Sequence, residues 1–422
     1  MLTPQAIALT LLYLGVSYVW FRYRAKQQGY GLTANEALLA LLARVLAGWS
    51  FSFVMLYLYD GQDTWEYHRE GLKYYALLQK NPVAFLAKDI TEHGYTNGIW
   101  SSFFSSENSF FKDLQHNLVI KLYALMDVLS GGRYYVNVLL YNLLIFAAPR
   151  KLYLLVQHYW GGNKRWWWLM IFCFPTALFF TSAMMKDGLC FWLMMGAIYR
   201  THLWVQQGGY KHILLALLWL SGLLLIRHFM AITLLPLLLA FAFTVRYRWH
   251  ALTTFGCCIG VALLLFFATA WLPPQFNLMQ RIAERQDAFH ALEGTYPLPK
   301  LPLNGTPLSF VKALPAAINH AFFQPGFVQV KTGVIYWAGI ADWLMLPIML
   351  GITIVLAQPH WKQQLLQPFT LLLISICLAN YLIIGYTVPF IGAILRYRAL
   401  FALLWLLVLL SLWKPMYRNR IQ

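Results

Sequence analysis

Acid is scarce in this chain. Aspartate and glutamate together number 15 of 422 residues, and all charged residues make up only 11%. A soluble domain carries about 25%, so a water-facing globule of this size is excluded. Cysteine is nearly absent as well. Cys173, Cys190, Cys257, Cys258 and Cys377 all lie inside apolar runs without metal-site spacing. They read as small buried hydrophobes, and no disulfide is expected. There is no P-loop, no G-x-G-x-x-G opening a helix, no G-x-S-x-G and no H-E-x-x-H, which removes the usual nucleotide, hydrolase and zinc-protease signatures. No segment of 20–50 residues repeats.

What fills the space is apolar. Hydrophobic residues reach 60%, aromatics 17%, with 18 Trp, and mean hydropathy is +0.56. Many Trp stand near the ends of apolar runs, where amphipathic rings meet lipid headgroups. A crossing helix needs about 20 apolar residues. Apolar runs of about that length lie near 5–21, 36–58, 134–157, 166–183, 188–205, 211–226, 229–245, 251–272, 333–357, 366–387 and 399–414. The expected fold is therefore all-α: one integral membrane domain over 1–422, a polytopic transmembrane bundle of about eleven spans. The first run has no basic leader and no small-residue cleavage site, so it reads as a retained helix.

The net charge of +17 would suggest nucleic acid in a soluble protein. Here the Lys and Arg sit in short loops, where they set orientation, and no nucleic-acid partner is expected. With the N-terminus outside, the inside loops carry Arg22, Arg24 and Lys26; Lys164 and Arg165; Arg200 and Lys211; Arg246 and Arg248; Lys362; and Lys414, Arg418 and Arg420. The positive-inside rule then gives N-out and C-in. Glu36 apart, most carboxylates fall in outer loops or at outer helix ends. Two long outer segments result. Residues 60–133 hold amphipathic stretches at 64–80 and 112–130 that are expected to lie on the membrane surface. Residues 273–332 are rich in Pro and Gly and read as an irregular loop able to close over a substrate.

Charged groups with candidate chemistry gather on that outer side. The first is the stretch from Tyr59 to His68, with Asp60, Asp63, Tyr67 and His68. Gly61 permits a tight turn, and a carboxylate held there can act as general base on a hydroxyl. The competing reading is that Asp63 caps a helix beginning near Thr64. The second is Lys186-Asp187, beyond Pro175, read either as a phosphate site or as a local ion pair closing a hairpin. The third is Arg227-His228 between two short apolar runs, a substrate contact or a snorkelling pair. The fourth is Arg396-Tyr397-Arg398, whose guanidiniums oppose the positive-inside trend and suit a phosphate or diphosphate. No His/Cys metal cluster is present. Asp60-x-x-Asp63 could hold a divalent cation through oxygens, but no cofactor is required by this reading.

An outer-face carboxylate near several cations fits a lipid-linked sugar phosphate. On the Asp60–His68 turn, Phe174-Pro175 through Lys186-Asp187, and Gly392 through Arg398, the chain resembles the GT-C superfamily of membrane glycosyltransferases and, more closely, multi-span proteins of bacterial surface-polysaccharide assembly. The resemblance implies a sugar transferase of the bacterial inner membrane with a polyprenyl-phosphate-linked donor and a glycan or lipid acceptor. It places the base on Asp63 or Asp60, with Asp63 favoured, and phosphate binding on Lys186, Arg227, Arg396 and Arg398. Asp187, His228, Tyr67 and His68 are further candidate substrate contacts. The chain departs from that family in lacking a large soluble C-terminal domain and a clear paired acid in the first loop. A repeat-unit polymerase or ligase is the nearest alternative, and a transporter or flippase of a lipid-linked or anionic solute the next.

Overall fold

The computed structural model describes residues 3–91, 110–292, 297–324 and 334–414. Those residues form helices with no strand beyond isolated bridges. In order they are α1 Pro4–Ala25, α2 Ala34–Leu58, α3 Gln62–Lys80, α4 Pro82–Thr91, α5 Phe110–Ser130, α6 Tyr134–Ile145, α7 Ala147–Tyr159, α8 Lys164–Cys173, α9 Pro175–Ser182, α10 Lys186–Gln207, α11 Tyr210–Ile226, α12 His228–Tyr247, α13 Ala251–Ala268, α14 Leu278–His290, α15 Pro307–Ile318, α16 Val334–Leu356, α17 Trp361–Leu365, α18 Pro368–Thr387 and α19 Ile391–Ser411.

Seven helices are long and apolar enough to cross a membrane: Pro4–Ala25, Ala34–Leu58, Tyr134–Tyr159, His228–Tyr247, Ala251–Trp271, Pro368–Thr387 and Ile391–Ser411. The expected spans at 166–183, 188–205, 211–226 and 333–357 fall outside that set. Run 166–183 breaks at Phe174 into α8 and α9, each too short to cross. Helix α10 is long, but Arg200 and His202 fall inside its apolar run and lower its hydropathy. Helix α11 and the described apolar part of α16, Ile340–Leu356, are shorter apolar helices.

The break between α9 and α10 organises the bundle. Residues 183–185 leave the helix, and free carbonyls in a buried setting need donors. Buried Arg44 of α2 donates from Nη2 to the Thr181 carbonyl at 3.0 Å and from Nε to Asn142 at 3.1 Å. Asn142 donates to the Ser182 carbonyl at 2.8 Å, and Tyr141 to that of Met185 at 2.5 Å. Glycines let the helices come this close. A Cβ on Gly48 would stand 2.5 Å from the Ser182 carbonyl oxygen, and one on Gly188 would collide with the Tyr141 hydroxyl and the Thr181 carbonyl.

The described parts of the first long segment, 60–91 and 110–133, hold helices over the stretches expected, and α3 packs on α5 through Tyr67, Tyr123 and Gly71. The second differs from expectation. Its described residues include the α-helices α14 and α15, because Asn277 caps α14 and Thr306 caps α15 with Pro307 in its first turn. Among its described residues the longest irregular stretch is 297–306. It is pinned by Leu298, whose amide donates to the Pro389 carbonyl at 2.9 Å, while Gln286 of α14 donates to that of Tyr386 at 3.1 Å. The five cysteines are free, and Cys257 is exposed on α13 rather than buried.

Candidate functional site

Sequence places Asp63 just after a sharp reversal. Asp60, Gly61 and Gln62 all adopt positive φ (52°, 90° and 45°), which costs most residues strain and glycine least. The Gly61 amide donates to the Met55 carbonyl at 2.7 Å. Thr64 bonds the Tyr134 hydroxyl at 2.6 Å, Trp65 donates to the Ser52 carbonyl at 3.0 Å, and Trp65 stacks on Tyr134 with centroids 4.0 Å apart. These anchors fix the first turn of α3. Helix α3 begins at Gln62, with Gly61 at its cap position making no side-chain cap bond. Asp63 is therefore inside the helix rather than capping one that starts at Thr64.

From that turn the Asp63 carboxylate accepts from Nη1 of Arg396, at the start of α19, at 2.9 Å. Arg396 also lies 3.5 Å from Asp187 at the start of α10, an ion pair without a hydrogen bond. The other Asp187 oxygen is 2.9 Å from Nη1 of Arg227. Arg227 is the single non-helical residue between α11 and α12 (φ −152°, ψ 83°). Both guanidiniums lie on Tyr397, at 4.6 Å for Arg227 and 4.8 Å for Arg396, and Arg396 donates to the Tyr397 hydroxyl at 3.1 Å. Residues more than 300 positions apart in sequence thus share one network. Side-chain exposure rises from 8% at Asp187 through 12% at Arg227 and 22% at Arg396 to 41% at Asp63, so the group opens toward solvent on the Asp63 side. Beneath it a cavity of about 10 Å³ is lined by Thr181, Asp187, Cys190, Arg227, Arg396 and Tyr397, room for about one water.

Two more cations border the network. Lys186 lies over the Tyr67 ring at 5.8 Å. Burial, reinforced by Arg227, lowers its pKa to about 8. Burial, and then the negative charge of Asp63, raises that of the Tyr67 phenol. Arg285 of α14 stacks on Phe289 at 4.6 Å, and Phe289 meets the edge of Tyr397 with centroids 6.4 Å apart. Arg285 is exposed yet close enough to Arg227 and Lys186 to repel both. Among the described residues neither Lys186 nor Arg285 is ion-paired to a carboxylate. Four cations therefore face two carboxylates, an excess of two positive charges.

The structure gathers Asp63, Tyr67, Lys186, Asp187, Arg227 and Arg396. It leaves others out. Asp60 is exposed on the reversal, with no side-chain partner among the described residues. His68 turns beneath α3 against Tyr134, centroids 5.1 Å apart, where burial lowers its pKa to about 4. His228 is exposed at the rim, on Phe229 and near Arg285. Arg398 points elsewhere: it is 3.0 Å from Asp342 of α16 through both Nε and Nη2, and its Nη1 donates to the Gln324 carbonyl at 2.6 Å. Two residues apart on a helix means roughly 200° of rotation, so Arg396 and Arg398 cannot serve one ligand. Among the described residues no three His, Cys, Asp or Glu side chains converge as a metal ligand set.

Sequence reasoning missed Arg285 and Asp342. Arg285 stands in a run with Arg281, Glu284 and Asp287 that reads as a solvated helix face. Asp342 did carry a signal, a lone carboxylate inside an apolar run, which calls for a partner.

Comparison of the chain with family models, with curated proteins and with solved structures gave no match.

Proposed function

We propose that this is a membrane glycosyltransferase acting at the outer face of a bacterial inner membrane. In this reading it has the eleven-span, N-out and C-in topology and transfers a sugar from a polyprenyl-phosphate-linked donor to a glycan or lipid acceptor. The observation that supports it is Arg396 held between Asp63 and Asp187 while Lys186 and Arg285 have no carboxylate partner among the described residues. A phosphate entering between them finds up to four cations and needs to displace at most one ion pair.

The proposed chemistry is a single displacement. The acceptor hydroxyl attacks the anomeric carbon, and its proton passes to the Asp63 carboxylate through the oxygen that Arg396 leaves free. The bond from anomeric carbon to phosphate oxygen breaks, and its electron pair stays on the phosphate. Lys186, Arg227, Arg285 and Arg396 stabilise the charge that develops there. Asp187 acts on the substrate through the guanidiniums it orients, so it is a positioning residue. The surplus of two positive charges favours one form of this reading, a diphosphate-linked donor of the kind a repeat-unit polymerase or ligase would use.

The test is a mass profile of carrier-linked and surface glycans in a deletion strain, restored with wild-type or Asp63→Asn copies at equal protein level. A glycan lacking one sugar, rescued only by the wild type, supports the transferase. Single complete repeats accumulating on the carrier assign the polymerase. An unchanged profile removes glycan assembly and leaves transport as the reading to pursue.

A further inference from the structure

The end of the bundle away from this site carries a second anion-binding geometry. Arg200 lies 14 positions along α10 from Lys186, about 20 Å at the helical rise. At that end the last turn of α1, the α1–α2 connection and the first turn of α7 meet. Tyr30, only 3% exposed, lies between two guanidiniums, with Arg24 at 5.9 Å and Arg150 at 4.8 Å from its ring. Arg150 also donates to the Tyr30 carbonyl at 3.1 Å, and Arg24 to the Gln27 side chain at 2.6 Å.

Two donors in this group have nothing to donate to. The Tyr30 hydroxyl and the Arg24 Nε are both buried without a hydrogen-bond partner, a state that costs free energy. Lys151, 9% exposed and 4.3 Å over the Trp219 ring, adds a cation on the far side of α7, within reach of the charges of Arg150 and Arg200. Among the described residues none of these four cations is ion-paired to a carboxylate. Glu36, which begins α2 close by, has its carboxylate bonded to the Thr33 amide and hydroxyl at 2.8 and 2.9 Å. Beside the group, Val19 and Tyr23 of α1 are 67% and 64% exposed, and Trp20 is 48% exposed with Arg24 5.9 Å over its ring.

We propose that Arg24, Tyr30 and Arg150 form a binding site for the phosphate of an anionic phospholipid. Buried donors, clustered guanidiniums and missing carboxylates call for an oxyanion. The exposed apolar side chains beside them suit acyl chains, which a free phosphate lacks. The bound headgroup would tie the α1–α2 connection to α7. This site is independent of the reading given to the opposite face.

The test uses the purified full chain in detergent, with phosphatidylglycerol, phosphatidylcholine and inorganic phosphate as probes. Lipid retention is read by native mass spectrometry and stabilisation by thermal melting. Phosphatidylglycerol is expected to be retained and to raise the melting temperature, with phosphatidylcholine and phosphate well behind. Tyr30→Phe, which deletes one oxygen and keeps the ring, should weaken phosphatidylglycerol retention by about tenfold, the worth of one charge-assisted hydrogen bond. Arg150→Gln should weaken it at least as much. Equal retention of the two lipids, or full retention by Tyr30→Phe, would overturn the proposal. Phosphate alone matching phosphatidylglycerol would make this a free-anion site and overturn the lipid assignment.

Discussion

Arg396 and Arg398 stand two residues apart on one helix, and each meets an aspartate near 3 Å. Their surroundings differ in every other respect. Arg398 and Asp342 are 3% and 2% exposed, one charge answers one charge, and a backbone carbonyl takes another guanidinium nitrogen. Arg396 is 22% exposed, shares its charge with two carboxylates, and has Lys186, Arg227 and Arg285 around it. A balanced, closed ion pair holds helices together. An open group with surplus charge has capacity for a ligand. An arginine near a helix end thus says little about role until the count of its counter-charges is known.

That contrast can be broken first at the closed pair. Arg398→Gln or Asp342→Asn leaves a buried charge alone and should cost about 3–5 kcal/mol of stability, read as a fall in folded protein and melting temperature. Replacing both with leucine should restore much of the loss. If the single changes leave melting untouched, the pair is not structural.

The open group should respond the other way. Arg396→Gln and Asp63→Asn should leave protein level near wild type and lower the rate of product formation by about 100- to 1000-fold, the usual effect of removing a group that stabilises or makes the transition state. Loss of protein instead of rate would place Arg396 in the same class as Arg398.

Gly188→Ala sharpens the comparison from the scaffold. Its Cβ would collide with the Tyr141 hydroxyl and the Thr181 carbonyl, and overpacking of this kind costs about 1–3 kcal/mol. Because Gly188 follows Lys186 and Asp187 directly, activity should fall along with melting temperature. Leucine at Asp342 and Arg398 together should not lower activity.

A pH profile gives a finer reading. With its pKa lowered to about 8 by burial and Arg227, Lys186 is charged below that pH and neutral above it. Phosphate affinity should therefore be full below about 8 and decline as pH rises through it. Lys186→Arg should hold its charge and move the decline upward. Asp60→Asn, at an exposed position outside the network, should have the smallest effect, with activity near wild type.

Much of this was legible in the sequence for a simple reason. Apolar runs long enough to cross a membrane and charges at their ends are local features, and they gave the helical architecture together with Asp63, Lys186, Asp187, Arg227 and Arg396. What stayed hidden depends on contacts across the chain. The break at Phe174 and the unwound residues 183–185 interrupt one apolar run, and Arg44, Asn142 and Tyr141 supply the second of them with donors. No window of sequence around residue 183 contains those donors. The choice between Asp60 and Asp63 was equally nonlocal. It rests on three successive positive-φ residues and on the anchors Thr64 and Trp65, which aim one carboxylate at Arg396 and leave the other in solvent.

The most direct test of the contrast is an affinity measurement. Purified protein in nanodiscs would be titrated with farnesyl phosphate and farnesyl diphosphate, for the wild type, Arg396→Gln, and the double variant with leucine at Asp342 and Arg398. The account predicts binding by the wild type and the double variant alike, with Arg396→Gln weaker by about tenfold or more. Undiminished binding by Arg396→Gln, or loss in the double variant alone, would contradict it.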